Sequence, residues 1–233
     1  GGEGAPLVPA FHAAVLSDER ESRAVLNLGG IANLTLLPAR GDVAGFDTGP
    51  ANALLDGWTQ RHRGVAHDTG GAWAATGRCD HVLLDRLLGD GYFGRKPPKS
   101  TGREEFSITW LDLALRTHRG LEPADVAATL VELTARSVAQ ALRATLPAAA
   151  RVIACGGGVH NGFLMQRLQS ALGATPLESS AAHGIDPDFV EAMAFAWLAQ
   201  RTLAGLPGTL VHVTGASGPR ILGGVWPGGT RVA

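Results

Sequence analysis

Only two cysteines occur in the 233 residues, Cys79 and Cys155. They are too few for a disulfide framework and stand at no metal-ligand spacing. Isolated thiols of this kind fit a reducing, cytoplasmic setting. Net charge is also nearly absent: 20 Lys and Arg against 21 Asp and Glu leave −1. That removes the basic footprint of a nucleic-acid partner, and no block of like charges offers a tail to a charged one. Long hydrophobic runs are missing too. The longest, Ala192–Ala199, falls far short of the roughly 20 apolar residues of a membrane span, and no signal-peptide pattern opens the chain. The first residue is Gly1 and not Met, so a processed, cut or incomplete chain is expected.

Glycine is in excess, with 32 residues against 13 prolines, about twice its usual ~7% share. The glycines have no G-X-Y period, which excludes a collagen-like chain. The 45% of apolar residues excludes disorder. The length fits one large domain or two small ones and is enough to bury a core without disulfide or metal staples.

Along the chain, residues 1–9 read as an opening loop punctuated by Gly and Pro. Arg23–Leu28 and Asn33–Leu37 are β-rich runs separated by Gly29-Gly30, which predicts a hairpin, and Val43–Phe46 continues as a third strand. Ala51, Leu54, Leu55 and Trp58 recur at helical spacing, with Gly64 as the stop. Residues 65–105 alternate glycine-rich loops with a short helix at Val82–Leu88, and Pro97-Pro98 keeps residues 95–105 out of regular helix. Phe106–Leu115 predicts a short helix and Asp125–Leu146 a long one. Arg151–Cys155 predicts a buried strand, Asn161–Leu172 a helix and Thr175–Glu178 a strand. A helix opened by Asp186-Pro187 is predicted to run to about Leu203. This β-β-β-α, insertion, α, β-α-β-α order predicts an α/β fold with a mixed sheet covered by helices.

Four motifs carry candidate chemistry. Gly156-Gly157-Gly158 joins a buried strand to a helix, so a ligand can approach the backbone and meet helix N–H groups. It is not a P-loop, because Phe163 stands where the lysine belongs. It is nearly a dinucleotide fingerprint, with Glu178 about 20 residues on, although Asn161 replaces the third glycine. A nucleotide site of another architecture and a plain tight turn are the remaining readings. Gly29-Gly30, flanked by Asn27 and Asn33, is either a hairpin turn or an amide nest for phosphate oxygens.

Asp47 in GFDTGPAN closes an apolar strand before a helix start. A carboxylate there sits at the ligand-binding edge of an α/β sheet and is a usable general base for water; alternatively it caps the turn. Thr48 is expected to cap the helix and Pro50 to lie in its first turn. Glu191 enters an apolar helix, either toward a partner or toward solvent with the dipole. Lys99, Ser100, Thr101, Arg103 and Glu104 form a polar loop able to grip a phosphate or sugar or to stay solvated. His62, His67 and Asp68 show no metal spacing.

Taken in order, NLGGIANLT, GFDTGPAN, GGAWAATG, PPKSTGRE, ATLVELTA, CGGGVHN, VEAMAFAWLAQR and the ILGGVWP tail closely resemble the anhydro-N-acetylmuramic acid kinases. The resemblance covers essentially the whole chain. It implies membership of the sugar kinase, Hsp70 and actin superfamily, with a ribonuclease-H-like mixed sheet and a helical insertion at about 65–120. It also implies a cytoplasmic peptidoglycan-recycling enzyme that uses ATP, Mg²⁺ and water to open the anhydro ring of anhydro-N-acetylmuramic acid and phosphorylate its sixth-position oxygen. Asp47 would activate the water, Glu191 and Asn52 would bind the sugar, Gly29 and Gly30 the phosphates, and Gly156, Gly157 and Gly158 the adenosine side of ATP.

Two residues depart from the family pattern: Ala51 where glycine is expected and Glu3 where glutamine is expected. Ala51 would tighten the helix start or crowd the substrate. The family's first phosphate loop, rich in Gly, Thr and Ser, has no counterpart here. Residues 1–22 are therefore expected to be the connection from a missing N-terminal domain, and 23–233 the C-terminal domain, in a homodimeric enzyme. A non-catalytic nucleotide- or sugar-binding half-protein is the alternative, followed by a nicotinamide-dependent oxidoreductase built on Gly156, Gly158 and Glu178, which the hairpin argues against.

Overall fold

In the computed structural model of the chain, residues 6–118 and 120–226 are described. The first five residues of the expected connecting segment, Glu3 among them, and the last seven of the chain lie outside the described residues.

A five-stranded sheet in the order β3-β2-β1-β4-β5 forms the centre. Its strands are β1 (Arg23–Leu28), β2 (Ile31–Leu37), β3 (Ala44–Pro50), β4 (Arg151–Cys155) and β5 (Leu177–Ser179). β2 is antiparallel to both β1 and β3, whereas β4 runs parallel to β1 and β5 parallel to β4. This is the mixed, ribonuclease-H-like sheet expected. Because only β2 is reversed, the carboxyl ends of β1, β3 and β4 emerge along one edge. The Gly29-Gly30, DTGP and Gly156–Gly158 segments therefore share that edge, where ligands of such sheets bind.

Strand periodicity divides the sheet into two covered faces. Ala24, Leu26, Leu28, Leu34, Phe46, Val152 and Ala154 point into the larger core. Around them pack α2 (Asn52–Arg63), α3 (His81–Leu88), α4 (Ile108–Leu115), α5 (Pro123–Thr145) and α6 (Gly162–Leu172). Val25, Leu37, Ile153 and Cys155 point the other way, onto Phe11 of α1 (Val8–Leu16) and Val190 and Ala194 of α7 (Val190–Leu203). A one-turn helix, α8 (Val211–Thr214), follows. The central helix α5 is tied to α6 through Glu132, whose buried carboxylate takes Arg136 at 2.9 Å and Arg167 of α6 at 2.8 Å. Burial alone would raise that carboxyl, but the two guanidinium groups outweigh it and hold it low. The insertion is seated by Asp80 and Ser107, whose side chains cap α3 and α4, and by Trp58 Nε1 donating to Pro123 O at 2.8 Å.

Several local expectations are corrected. The opening loop ends sooner than predicted: α1 starts at Val8, and Pro9 suits its first turn. β3 does not stop at Phe46 but runs through Asp47-Thr48-Gly49 to Pro50, paired with β2. Ladder bonds outweigh the turn-like composition of DTGP. Thr48 is consequently no cap; its hydroxyl donates to Ala32 O at 3.1 Å. Pro50 ends the strand instead of opening the helix. α7 begins at Val190, later than Asp186-Pro187 implied, because Asp186 Oδ1 accepts from Asp188 N at 2.9 Å and forms a local turn.

His12 gives the fold a pH dependence. It is 1% exposed, with Nδ1 paired to Thr35 Oγ1 at 2.9 Å and Nε2 without a partner among the described residues. Burial lowers its pKa to about 4. The unfolded chain binds the proton first as pH falls, so stability is lost from about pH 6.5 downward and levels off near pH 4. Urea midpoints measured across that range should fall by an amount equivalent to about 3 kcal/mol at most. His12→Gln should flatten the slope.

Candidate active site

The candidate site is assembled where β1 ends. The carbonyls of Gly29 and Gly30 turn inward to cap α2: Gly30 O accepts from Ala51 N and Ala53 N, and Gly29 O from Asn52 N, each at 3.1 Å. With the carbonyls so committed, the Gly29 and Gly30 N–H groups meet no acceptor among the described residues. Two successive unpartnered amides at a strand end are candidates to meet phosphate oxygens. Ala51, at 1% exposure, lies in the core cluster. Its methyl is therefore packed in the core and does not crowd the site.

Asn52 Nδ2 donates to Leu28 O at 2.9 Å, so its amide braces the turn against α2. Gly158 packs on the same point: a Cβ there would come 2.5 Å from Leu28 Cβ and 3.2 Å from Asn52 Nδ2. Gly156 has φ +82, and its Cβ would lie 2.5 Å from Asn27 Oδ1. Only glycine meets both demands. Gly157 is exposed, and a Cβ there would meet nothing within 4 Å. The two glycine turns are thus in contact across Leu28.

Asp47 occupies the smaller-core face of β3 opposite Asn33 of β2, which in turn stands opposite Asn27 of β1 and then Cys155 of β4. A polar row crosses the sheet just inside its carboxyl edge. Burial pushes the Cys155 thiol up to about 12, so the row ends in an unreactive group.

The carboxylate of Asp47 is held from the insertion. Its Oδ2 accepts from Ser100 Oγ at 3.1 Å and Thr101 N at 3.0 Å. Its main-chain N–H donates to Lys99 O at 3.1 Å, and its carbonyl accepts from Tyr92 Oη at 2.8 Å. Burial, and then the Asp47 charge, push the Tyr92 hydroxyl up, so it remains a donor. Lys99 sits 4.5 Å from the Tyr92 ring centre, and burial, with Arg95 assisting, lowers its ammonium. Arg103 lies against the turn: a Cβ on Gly30 would be 2.9 Å from its Nε and Nη2. Arg103 forms no ion pair among the described residues.

Asp47, Asn52, Gly29, Gly30, Gly156 and Gly158 are therefore gathered at one edge. Glu191 is exposed in the first turn of α7, whose lead-in is tied to the end of β4 by Gly156 N donating to Pro187 O at 2.9 Å. Glu191 forms no side-chain hydrogen bond or ion pair among the described residues. Glu178 does not serve as a ribose-binding acid. Arg151 takes one of its oxygens and His183 the other, each at 2.8 Å, which together with the antiparallel hairpin removes the dinucleotide reading. Sequence reasoning missed Tyr92 entirely; a lone tyrosine near a glycine loop carries no periodic signal. It noted the 99–104 loop as polar but not what it contacts.

The family model described as anhydro-N-acetylmuramic acid kinase matches residues 1–228. An anhydro-N-acetylmuramic acid kinase of Xanthomonas campestris pv. campestris is 58% identical over 227 residues, covering 97% of this chain and 60% of that protein. One from Chromohalobacter salexigens is 54% identical, covering 98% of this chain and 63% of that protein. The chain thus spans about 60% of the length of the curated relatives it matches. Among solved structures, the activator of the 2-hydroxyisocaproyl-CoA dehydratase from Clostridium difficile with bound ADPNP overlaps it with a TM-score of 0.48 at 12% identity, over 84% of this chain and 67% of that one. On the match along almost its whole length and on relatives more than half identical to it, the chain belongs to the anhydro-N-acetylmuramic acid kinase family.

Proposed function

We propose that this chain is the base-bearing part of an ATP-dependent kinase that hydrolyses the anhydro ring of anhydro-N-acetylmuramic acid and delivers the product as N-acetylmuramic acid 6-phosphate. The observation that carries the reading is the state of Asp47: Oδ2 is anchored by two donors, Oδ1 meets none among the described residues, and the carboxylate shares an edge with an unpaired amide turn and Arg103.

Water is a poor nucleophile, so ring opening needs a base at hydrogen-bond distance. Asp47 Oδ1 would take one proton from water as its oxygen bonds to the anomeric carbon. The bond from that carbon to the bridging sixth-position oxygen breaks. The freed oxygen attacks the γ-phosphorus, and the bond from phosphorus to the β–γ bridging oxygen breaks to release ADP. Phosphoryl transfer depends on alignment and charge neutralisation, which the Gly29 and Gly30 N–H groups and Arg103 supply on this side of the cleft. Asn52 has Oδ1 and the second Nδ2 hydrogen left for sugar hydroxyls, because one Nδ2 hydrogen is committed to Leu28 O. Glu191 would approach the sugar from α7.

No group of three or more His, Cys, Asp or Glu able to hold a metal forms among the described residues. Mg²⁺ therefore enters the proposal only as a companion of the nucleotide phosphates, and no step depends on a protein metal cage. No described helix is long and apolar enough to cross a membrane.

In a family-length enzyme carrying this segment, Asp47→Asn should lower turnover roughly 10²–10⁴-fold, read by coupled ADP release with the anhydro sugar. Wild-type turnover in that variant would defeat the assignment of the base. The present chain by itself should bind ATP weakly in calorimetry and turn over at no more than about 1% of the family-length rate, because loss of phosphate alignment is costly. Full activity of the present chain would contradict the division of labour.

A further inference from the structure

We propose that Ser100 is a positioning residue for the base, fixing which oxygen of Asp47 receives the proton. The proposal rests on the reading of Asp47 as base and adds how the carboxylate is aimed. A carboxylate swivels about its last bond, so its two oxygens are equivalent unless something distinguishes them. Here both donors fall on Oδ2: Ser100 Oγ at 3.1 Å and Thr101 N at 3.0 Å. The backbone of Asp47 is pinned at both ends by Lys99 O and Tyr92 Oη. With backbone and one oxygen held, Oδ1 is left pointing away from the donors in a single orientation. A base aligned before the substrate arrives loses nothing to reorientation during the reaction.

The donors are themselves held. Thr101 Oγ1 donates to Glu105 Oε2 at 2.6 Å, and Arg95 lies 3.6 Å from the other oxygen of Glu105. Phe106, just beyond, is buried edge-to-face against Tyr92 at 5.3 Å and Trp110 at 5.0 Å. The loop is thus anchored to the insertion's core and delivers Ser100 to Asp47 at its exposed end. Exposure is informative in itself. A solvent-facing hydroxyl bond adds little to folding stability, so a merely structural serine there would leave turnover alone.

The test compares Ser100→Ala, Ser100→Thr, Asp47→Asn and the Ser100→Ala/Asp47→Asn double variant in the family-length enzyme. Ser100→Ala should lower kcat about 10-fold with KM for ATP and for the anhydro sugar unchanged and the melting temperature unmoved. Ser100→Thr, which keeps the hydroxyl, should restore the rate. On the Asp47→Asn background, Ser100→Ala should cost nothing further, because residues acting as a unit are non-additive. A crystal structure of the Ser100→Ala chain should show the Asp47 carboxylate in more than one orientation. Wild-type kcat in Ser100→Ala, a rise in KM alone, or an additive loss in the double variant would overturn the positioning role while leaving the base intact. Turnover retained in Asp47→Asn would instead overturn the base reading and this proposal with it.

Discussion

The carbonyl of Leu28, the last residue of β1, is the point on which the site depends. Asn52 Nδ2 binds it from α2, and Gly156 and Gly158 press against it from the β4 turn. One and two residues further, the Gly29 and Gly30 carbonyls cap α2. A buried carbonyl must find a donor, and orphan N–H groups at a helix start must find acceptors. Here a single turn meets both needs. With those carbonyls engaged on the helix, the two glycine N–H groups are left without a partner among the described residues.

The second constraint is strand direction. Reversal of β2 alone sends β1, β3 and β4 out along the same edge, and three glycine-bearing segments far apart in the chain become neighbours. The polar row Asp47, Asn33, Asn27 and Cys155 crosses the same four strands in register. A one-residue slip of β3 would turn Asp47 into the larger core. The β2–β3 pairing carries an irregularity between Ala32 and Asn33, and it is past this point that the row is set.

The insertion has a double role. Its aromatic group, Tyr92, Phe93, Phe106 and Trp110, packs together and, through Phe93 and Trp110, against the larger core. From it the 99–105 loop reaches back over the sheet edge, holding Asp47 with one part and laying Arg103 against the Gly30 turn with another. On the function proposed above, a chain with near-zero net charge would meet a polyanion with backbone amides and one guanidinium.

Much was legible from residues alone. Strand runs such as RVIAC, the helical spacing of Ala51, Leu54, Leu55 and Trp58, and Gly64 as a left-handed stop all stood in the structure, because local propensity and burial pattern agree there. The motif order pointed to the family. What local pattern could not decide was whether DTGP belongs to a strand or a turn. Its residues favour turns, yet pairing with β2 made it strand, and that choice carried Asp47 away from the helix start and onto a defined face. Nor could it show that Ser100 and Tyr92, about 50 residues downstream, hold Asp47. Side-chain periodicity reports which way a residue faces within its own element. Which residue it meets depends on sheet register and on how the insertion folds back, and these are properties of the packed chain.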